Sequence, residues 1–280
     1  MPADVMLAKP LKKQRLPATV LLEPKLDGVR CYVKQGHCYS RTSKHLTNFN
    51  HLAQALAVVS RETVFDGELM PSTAGGAETF RTVMRQLYRH GANTSGIGIA
   101  LFDAIPLAHW RRKSSPLTQT ERRNSLERLV PKKLRPHIWV VPAILAPSDP
   151  KVIQSVYQSF LAAGYEGIMV KDPHAPYEWA RRGHWLKMKP THTMDLPIVG
   201  FQAGEGKHVG RLGALLVERD GIVTEVGTGF SDVERTTIWR SRQHLLGVQV
   251  EVAYQEISSH GRLRFPVFKR LRTDKRKVRV

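Results

Sequence analysis

Glu23-Pro24-Lys25-Leu26-Asp27-Gly28-Val29-Arg30 places a lysine on a tight turn between two apolar strands. Val20-Leu21-Leu22 leads in, residues 29–33 lead out, and the Asp27-Gly28 step supplies the turn. A lysine between strands is usually a solvated surface charge. Here an amine nucleophile stands two residues from a carboxylate able to hold a divalent metal, and five from a guanidinium suited to phosphate or ribose. Alternation along the outgoing strand puts Val29, Cys31 and Val33 on one face and Arg30 with Tyr32 on the other, so Arg30 faces the side where a pocket would form.

Working outward, Gln35-Gly36 reads as a hairpin turn whose return brings Arg41 in Ser40-Arg41-Thr42-Ser43. Leu52, Ala55, Leu56 and Val59 recur at helical spacing, with Asn48 or Asn50 as the cap. Residues 64–69 read as a strand with Asp66 and Glu68 on one face; Phe80, Val83, Met84 and Leu87 mark a second helix; residues 97–105 form an apolar strand containing Phe102. A helix is expected over 118–130 and a short strand at 139–141. The clearest helix starts at Asp149-Pro150 and is closed by Gly164. After it come Glu166-Gly167-Ile168-Met169-Val170-Lys171 and Trp185-Leu186-Lys187-Met188-Lys189. Residues 190–197 read as an interdomain linker. Beyond it, short glycine-punctuated strands at 198–201, 214–218, 223–227 and 248–253 suit a small antiparallel barrel, with an oligonucleotide-binding (OB) barrel the obvious candidate.

A chain of 280 residues suffices for one large and one small domain. Its net charge of +19 points to a polyanionic partner, and to nucleic acid rather than membrane because no basic amphipathic helix stands out; added solubility is the alternative reading. No stretch approaches the ~20 apolar residues of a membrane span, and residues 1–16 carry no secretory pattern. Cys31 and Cys38, either side of the hairpin turn, read as a reduced pair, and the cytoplasm is the expected setting.

The order of the short motifs is more specific than any one of them. Lys25-x-Asp27-Gly28-x-Arg30, an arginine strand at Arg41, Asp66-Gly67-Glu68, an aromatic strand at Phe102, Glu166-Gly167-x-x-x-Lys171 and the lysine pair Lys187-x-Lys189 follow one another as in the covalent nucleotidyltransferases. Trp185 before that pair, and Arg272-Thr273-Asp274-Lys275 near the C-terminus, resemble the ATP-dependent DNA ligases of minimal two-domain type. The resemblance implies an α+β fold: a nucleotidyltransferase (adenylation, ATP-grasp-like) domain with antiparallel sheets and flanking helices over residues 1–193, then an all-β OB-fold domain over 194–280.

It also implies roles. Lys25 takes AMP from ATP, Glu23 helps select adenine, and Phe102 stacks on the base. Arg30 and Arg41 contact sugar or phosphate, Arg41 being a candidate for the 5′-phosphate of a nick, while Lys171 binds nucleotide. Asp27, Glu68 and Glu166 serve Mg2+, and Arg272 with Lys275 clamps the β,γ-phosphates. An amine attacks phosphorus only when neutral, and Lys187 and Lys189 on one strand face are expected to lower the pKa of Lys25 while neutralising the α-phosphate. Without the ordered set, Phe102 reads equally as a core residue, Asp66, Glu68 and Glu166 as solvated charges, and Lys171 as a surface lysine. The expected substrate is nicked double-stranded DNA bound by a monomer. RNA ligases, capping enzymes and a non-catalytic nucleic-acid binder are the alternatives. One departure is visible: Ser43 stands where the family often has glycine. Glycines around Gly206 and in Val226-Gly227-Thr228-Gly229 are expected to serve turns and a close approach to DNA.

Overall fold

The computed structural model describes residues 4–12, 14–72, 79–87, 89, 94–130, 137–258, 260–275 and 278. The chain divides into two compact units, Met1–Met188 and Lys189–Val280.

The first unit runs β1 (Lys9–Pro10), β2 (Thr19–Lys25), β3 (Val29–Lys34), β4 (His37–Ser40), α1 (Asn50–Val59), β5 (Thr63–Pro71), α2 (Thr79–Leu87), β6 (Ile97–Pro106), α3 (Leu107–Arg112), α4 (Gln119–Leu129), β7 (Ile138–Val140), β8 (Ile144–Pro147), α5 (Pro150–Ala162), β9 (Gly167–Lys171) and β10 (Trp185–Met188). One sheet has the order β1-β10-β9-β2-β8 and the other β4-β3-β5-β6-β7. Strands pair antiparallel except β1 with β10 and β6 with β7.

Period-two alternation decides what lies between the sheets. Ile97, Ile99 and Leu101 of β6 pack outward with Leu52 and Leu56 of α1, Val83 of α2 and Leu126 of α4. Ala100 and Phe102 turn the other way, to Tyr32 and Trp185. On the first sheet, Val20, Leu22, Val170 and Leu186 meet Ile153 and Tyr157 of α5. Their strand neighbours Glu23, Lys25, Lys171, Trp185 and Lys187 therefore take the inner side. The motifs converge because each strand must bury its other face.

Local signals decide the ends. Asp149 caps α5 by accepting from Lys151 N at 2.7 Å, Pro150 opens it, and Gly164 leaves with φ +84. Thr118 and Glu121 form a capping box on α4. For α1 the expected asparagine cap is wrong: Phe49 holds that position with no side-chain bond, because a 3-10 turn over Thr47–Phe49 precedes the helix. Asn48 instead donates to the carbonyls of Gln86 and Arg89. The side chain of Phe80, expected on the second helix, lies outside the described residues. Cys31 and Cys38 are buried free thiols.

The second unit holds β11 (His192–Ala203), β12 (Leu212–Arg219), β13 (Ile222–Val226), α6 (Asp232–Arg240), α7 (Arg242–Leu245), β14 (Gln249–Tyr254), β15 (Glu256–Ile257), β16 (Leu263–Arg264) and β17 (Val267–Arg272). The expected linker is a correction: residues 192–197 form the first half of β11 and pair with β14, while 198–203 pair with β12. One long strand thus serves both neighbours in the order β13-β12-β11-β14-β17. The polar, proline-bounded composition that suggested a linker belongs to a strand only partly buried.

The sheet closes on itself. Phe268 N, on β17, donates to Thr228 O just past β13 at 2.8 Å, and the Phe230 and Phe268 rings stack 4.3 Å apart. Gly229, at φ +96, makes this closure possible: a Cβ there would lie 2.3 Å from Phe268 O. Within the protein, the close approach of this glycine is to its own barrel. Gly229→Ala is expected to cost about 1–3 kcal/mol, the range for a strained backbone position, read as a lower denaturant midpoint of the whole protein. An unchanged midpoint would mean the closure is not held there.

Candidate active site

Lys25 is the last residue of β2, opposite Gly167, and Glu166 N donates to its carbonyl at 3.1 Å. That pairing sets the Glu166 carboxylate against Lys25 Nζ, where the two form an ion pair. Gly28 N donates to Glu68 Oε2 at 3.2 Å, fastening the turn to β5. Lys25 is only 16% exposed. Burial lowers its pKa, the charges of Glu68 and Asp27 raise it, and that of Arg30 lowers it further. Desolvation leads this depression, with Arg30 a cation that adds to it; the charges of Lys25 and Lys187 also oppose one another, as the lysine-pair expectation requires of Lys187. Lys187 is itself lowered, first by burial and then by the charges of Lys25, Arg181 and Arg41, so these four cations share one neighbourhood. Lys189, half-buried, is the first residue of the second unit.

Arg30 is locked. Its Nε and Nη2 donate to the two oxygens of Asp66 at 2.7 and 2.6 Å, and Tyr177 OH donates to Asp66 Oδ2 at 2.6 Å. The guanidinium lies 4.5 Å from the centre of the Phe102 ring. Asp66 is fully buried, so the reading of it as a solvated charge fails; it orients Arg30.

Glu23 and Lys171 are also buried, at 2% and 1% exposure, and pair at 2.6 Å, with Arg123 Nη1 3.5 Å from Glu23. Burial pushes the Glu23 carboxyl up and the Lys171 ammonium down, each opposed by the other's charge. Lys171 Nζ sits 4.3 Å from the Trp185 ring and 4.9 Å from that of Phe102. It is a core cation, not a surface lysine.

These groups line one cavity of about 40 Å³, among them Glu23, Lys25, Arg30, Glu68, Phe102 and Trp185. It holds a few waters at most, because Arg30 fills the space over Phe102; a base stacking on that ring must displace the guanidinium. A cavity of about 520 Å³ lies at the β1 edge among Lys9, Lys12, Arg15, Arg182 and His184. It is larger and basic but is lined by neither Lys25 nor Glu68, so the candidate site residues gather at the smaller one.

Arg41 is exposed on the turn after β4. Ser43 there adopts φ +60, the left-handed geometry glycine would take, with its hydroxyl donating to Asp4 Oδ2 at 2.7 Å and accepting from Tyr32 OH at 2.9 Å. The backbone shape survives the missing glycine.

Asp27, Glu68 and Glu166 surround Lys25 but form no preassembled metal cage: among the described residues no three His, Cys, Asp or Glu side chains converge to hold an ion. The donors fit Mg2+, which takes one or two carboxylates and completes its shell with water and substrate oxygens. In the second unit, Arg272 and Lys275 meet on Asp195, at 2.8 and 2.6 Å from its Oδ2.

Sequence reasoning missed Asp195, Tyr177 and the buried pair Asp103–Arg122. Nothing in the sequence links Asp195 to residues about 80 positions away; the register of β11 with β14, and of β14 with β17, does.

A family model described as ATP dependent DNA ligase domain matches residues 5–189, and one described as DNA ligase OB-like domain matches 203–272. The chain belongs to the ATP-dependent DNA ligase family. A probable DNA ligase of Rhodococcus opacus is 32% identical over 76% of this chain and 43% of its own length. The solved structure Pmar-Lig_PreS3 is 32% identical with a TM-score of 0.84, covering 97% of this chain and 68% of that one. A Lig E DNA ligase described as binding DNA with a minimal scaffold is 23% identical with a TM-score of 0.73, over 96% of this chain and 98% of its own, and shares the fold. The chain spans about half the length of the curated relatives it matches. No described helix is long and apolar enough to cross a membrane.

Proposed function

We propose that this chain seals 5′-phosphate/3′-hydroxyl nicks in duplex DNA, using ATP and a covalent AMP on Lys25. The observation that carries the reading is Lys25 itself, half-buried with a lowered pKa and held between carboxylates of two facing sheets. Neutral Nζ attacks the α-phosphorus; a P–N bond forms as the P–O bond to pyrophosphate breaks. Glu166, touching Nζ, is the nearest acceptor for the proton. The 5′-phosphate of the nick then takes AMP from the lysine, and the 3′-hydroxyl attacks that phosphate and expels AMP.

Arg30 and Lys187 neutralise developing phosphate charge, and Arg41 holds the nick's 5′-phosphate. Glu68 with Asp27 and Glu166 would hold Mg2+, which would draw charge off the phosphates. The net charge of +19 supports a DNA partner whose grip weakens with salt, by a slope of about 0.9 per phosphate contacted. The solved Lig E enzyme, described as binding DNA with a minimal scaffold, supports the same partner. The free buried thiols support a cytoplasmic setting, and a monomer is the simplest assembly.

Incubation with ATP labelled at the α-phosphate is expected to label the protein covalently, and added nicked DNA to discharge the label and become joined. Labelling by GTP instead, or joining of nicked RNA alone, would favour the capping or RNA-ligase alternatives. No covalent label at all would leave only nucleic-acid binding.

A further inference from the structure

Arg272 and Lys275 are cations at the two ends of one turn, where Lys275 N donates to Arg272 O at 3.0 Å, so their backbones are close while their long side chains are free to part. What gathers them is one carboxylate oxygen. Arg272 Nη1 and Lys275 Nζ both donate to Asp195 Oδ2, at 2.8 and 2.6 Å. The rest of the Arg272 fork is taken by Asp274, with Nε to Oδ1 at 2.9 Å and Nη2 to Oδ2 at 2.8 Å. Asp274 thereby fixes the plane of the guanidinium, and its own pKa is held to about 2 by that bond.

Asp195 is different. It is 17% exposed, and its Oδ1 is buried with no hydrogen-bond partner among the described residues. Most buried carboxylate oxygens in proteins have a hydrogen-bond partner, protein or water. This one spends a single oxygen on two cations and leaves the other bare. Two donors from different side chains, a guanidinium and an ammonium, aimed at one anionic oxygen reproduce what a phosphate oxygen would offer them.

Resting on the ligase reading above, we propose that Asp195 is a positioning residue that assembles Arg272 and Lys275 into a single cationic clamp for the polyphosphate of ATP. Its oxygen stands in for a phosphate oxygen and yields the two donors to the nucleotide. Without it the turn still holds the two backbones together, but the like-charged ends repel and must be gathered at the moment of reaction. Asp195 is therefore needed for the step in which pyrophosphate departs. It is not needed for the step that joins an already adenylated nick, where no polyphosphate is present.

The test separates the two steps in the full chain. Asp195→Asn is expected to slow self-adenylation at saturating ATP by about 10-fold or more, and to leave joining of a pre-adenylated nick within about 2-fold of wild type. Asp195→Glu, which keeps the anion, is expected to recover most of the adenylation rate. Equal loss in both steps would mark a structural role and overturn the proposal, as would an unaltered adenylation rate. Wild-type protein that forms no adenylate would instead sink the ligase reading, and this proposal with it; normal wild-type adenylation with an indifferent Asp195→Asn sinks this proposal alone.

Discussion

Lys25→Arg is expected to form no covalent adenylate, a loss of at least about 1,000-fold in label transfer, while folding as wild type. Arginine fills nearly the same space and can keep the ion pair with Glu166, so packing is not what the variant changes. It removes the one property the reaction needs, a nitrogen able to shed its proton. The pH dependence of the wild-type enzyme should carry the same signature. Only the neutral amine attacks, so adenylation rises with pH and levels off above the pKa of Lys25, which burial has moved below the ordinary lysine value. The charges of Glu68 and Asp27 oppose that shift. Glu68→Gln removes one of them, so the rising limb should move to lower pH even as the rate falls. A limb that moves upward, or label retained by Lys25→Arg, would show that another group is the nucleophile. Measurement needs only labelled ATP, a pH series and a denaturing gel.

The residues that the sequence offered for this site were legible because strand alternation is legible. Glu23 and Lys25, Arg30, and Asp66 with Glu68 lie at odd spacing from the apolar positions of their strands, so burial of one set implies a common side for the other. What no periodicity could supply was which inward charge finds which partner. Asp66 reads as a strand-face carboxylate until β3 and β5 pair, when it becomes the seat of Arg30. Lys171 reads as a surface lysine until β9 is found between β2 and β10, when its ammonium lies against Glu23 and two aromatic rings. The stretch 192–197 failed for a different reason: proline at its end and polar residues within it are equally the marks of a linker and of a half-buried strand, and only pairing with β14 decides. The α6 helix carried its own signal in Ser231 and Glu234, a capping box that structure confirms and that strand-centred reading passed over.

The second large effect lies in the support of the site. Arg122 is wholly buried, and its donors are all engaged: Nε with Asp103 Oδ1 at 2.8 Å, Nη2 with Asp103 Oδ2 at 3.1 Å and Gln119 Oε1 at 3.0 Å, and Nη1 with the carbonyls of Leu117 and Ala175 at 2.6 and 3.2 Å. One side chain thus ties α4, β6 and the segment before Tyr177 together. Gln119 passes the restraint on, accepting from Trp185 Nε1 at 2.6 Å, and Trp185 packs edge-on against Phe102 with ring centres 5.8 Å apart. Arg122→Leu keeps much of the volume but strands the Asp103 carboxylate without a counter-charge, and is expected to cost about 3–5 kcal/mol. At roughly 2–4 °C per kcal/mol for a unit of this size, melting should fall by about 6–20 °C. Arg122→Met combined with Asp103→Leu removes both charges and should recover a large part of that loss, since the penalty comes from the orphaned ion rather than from the missing bond. Calorimetry of the three proteins tests this. A single variant that melts within about 2 °C of wild type, or a double variant no better than the single, would mean that water reaches Asp103 and that the network does not hold Trp185 in place.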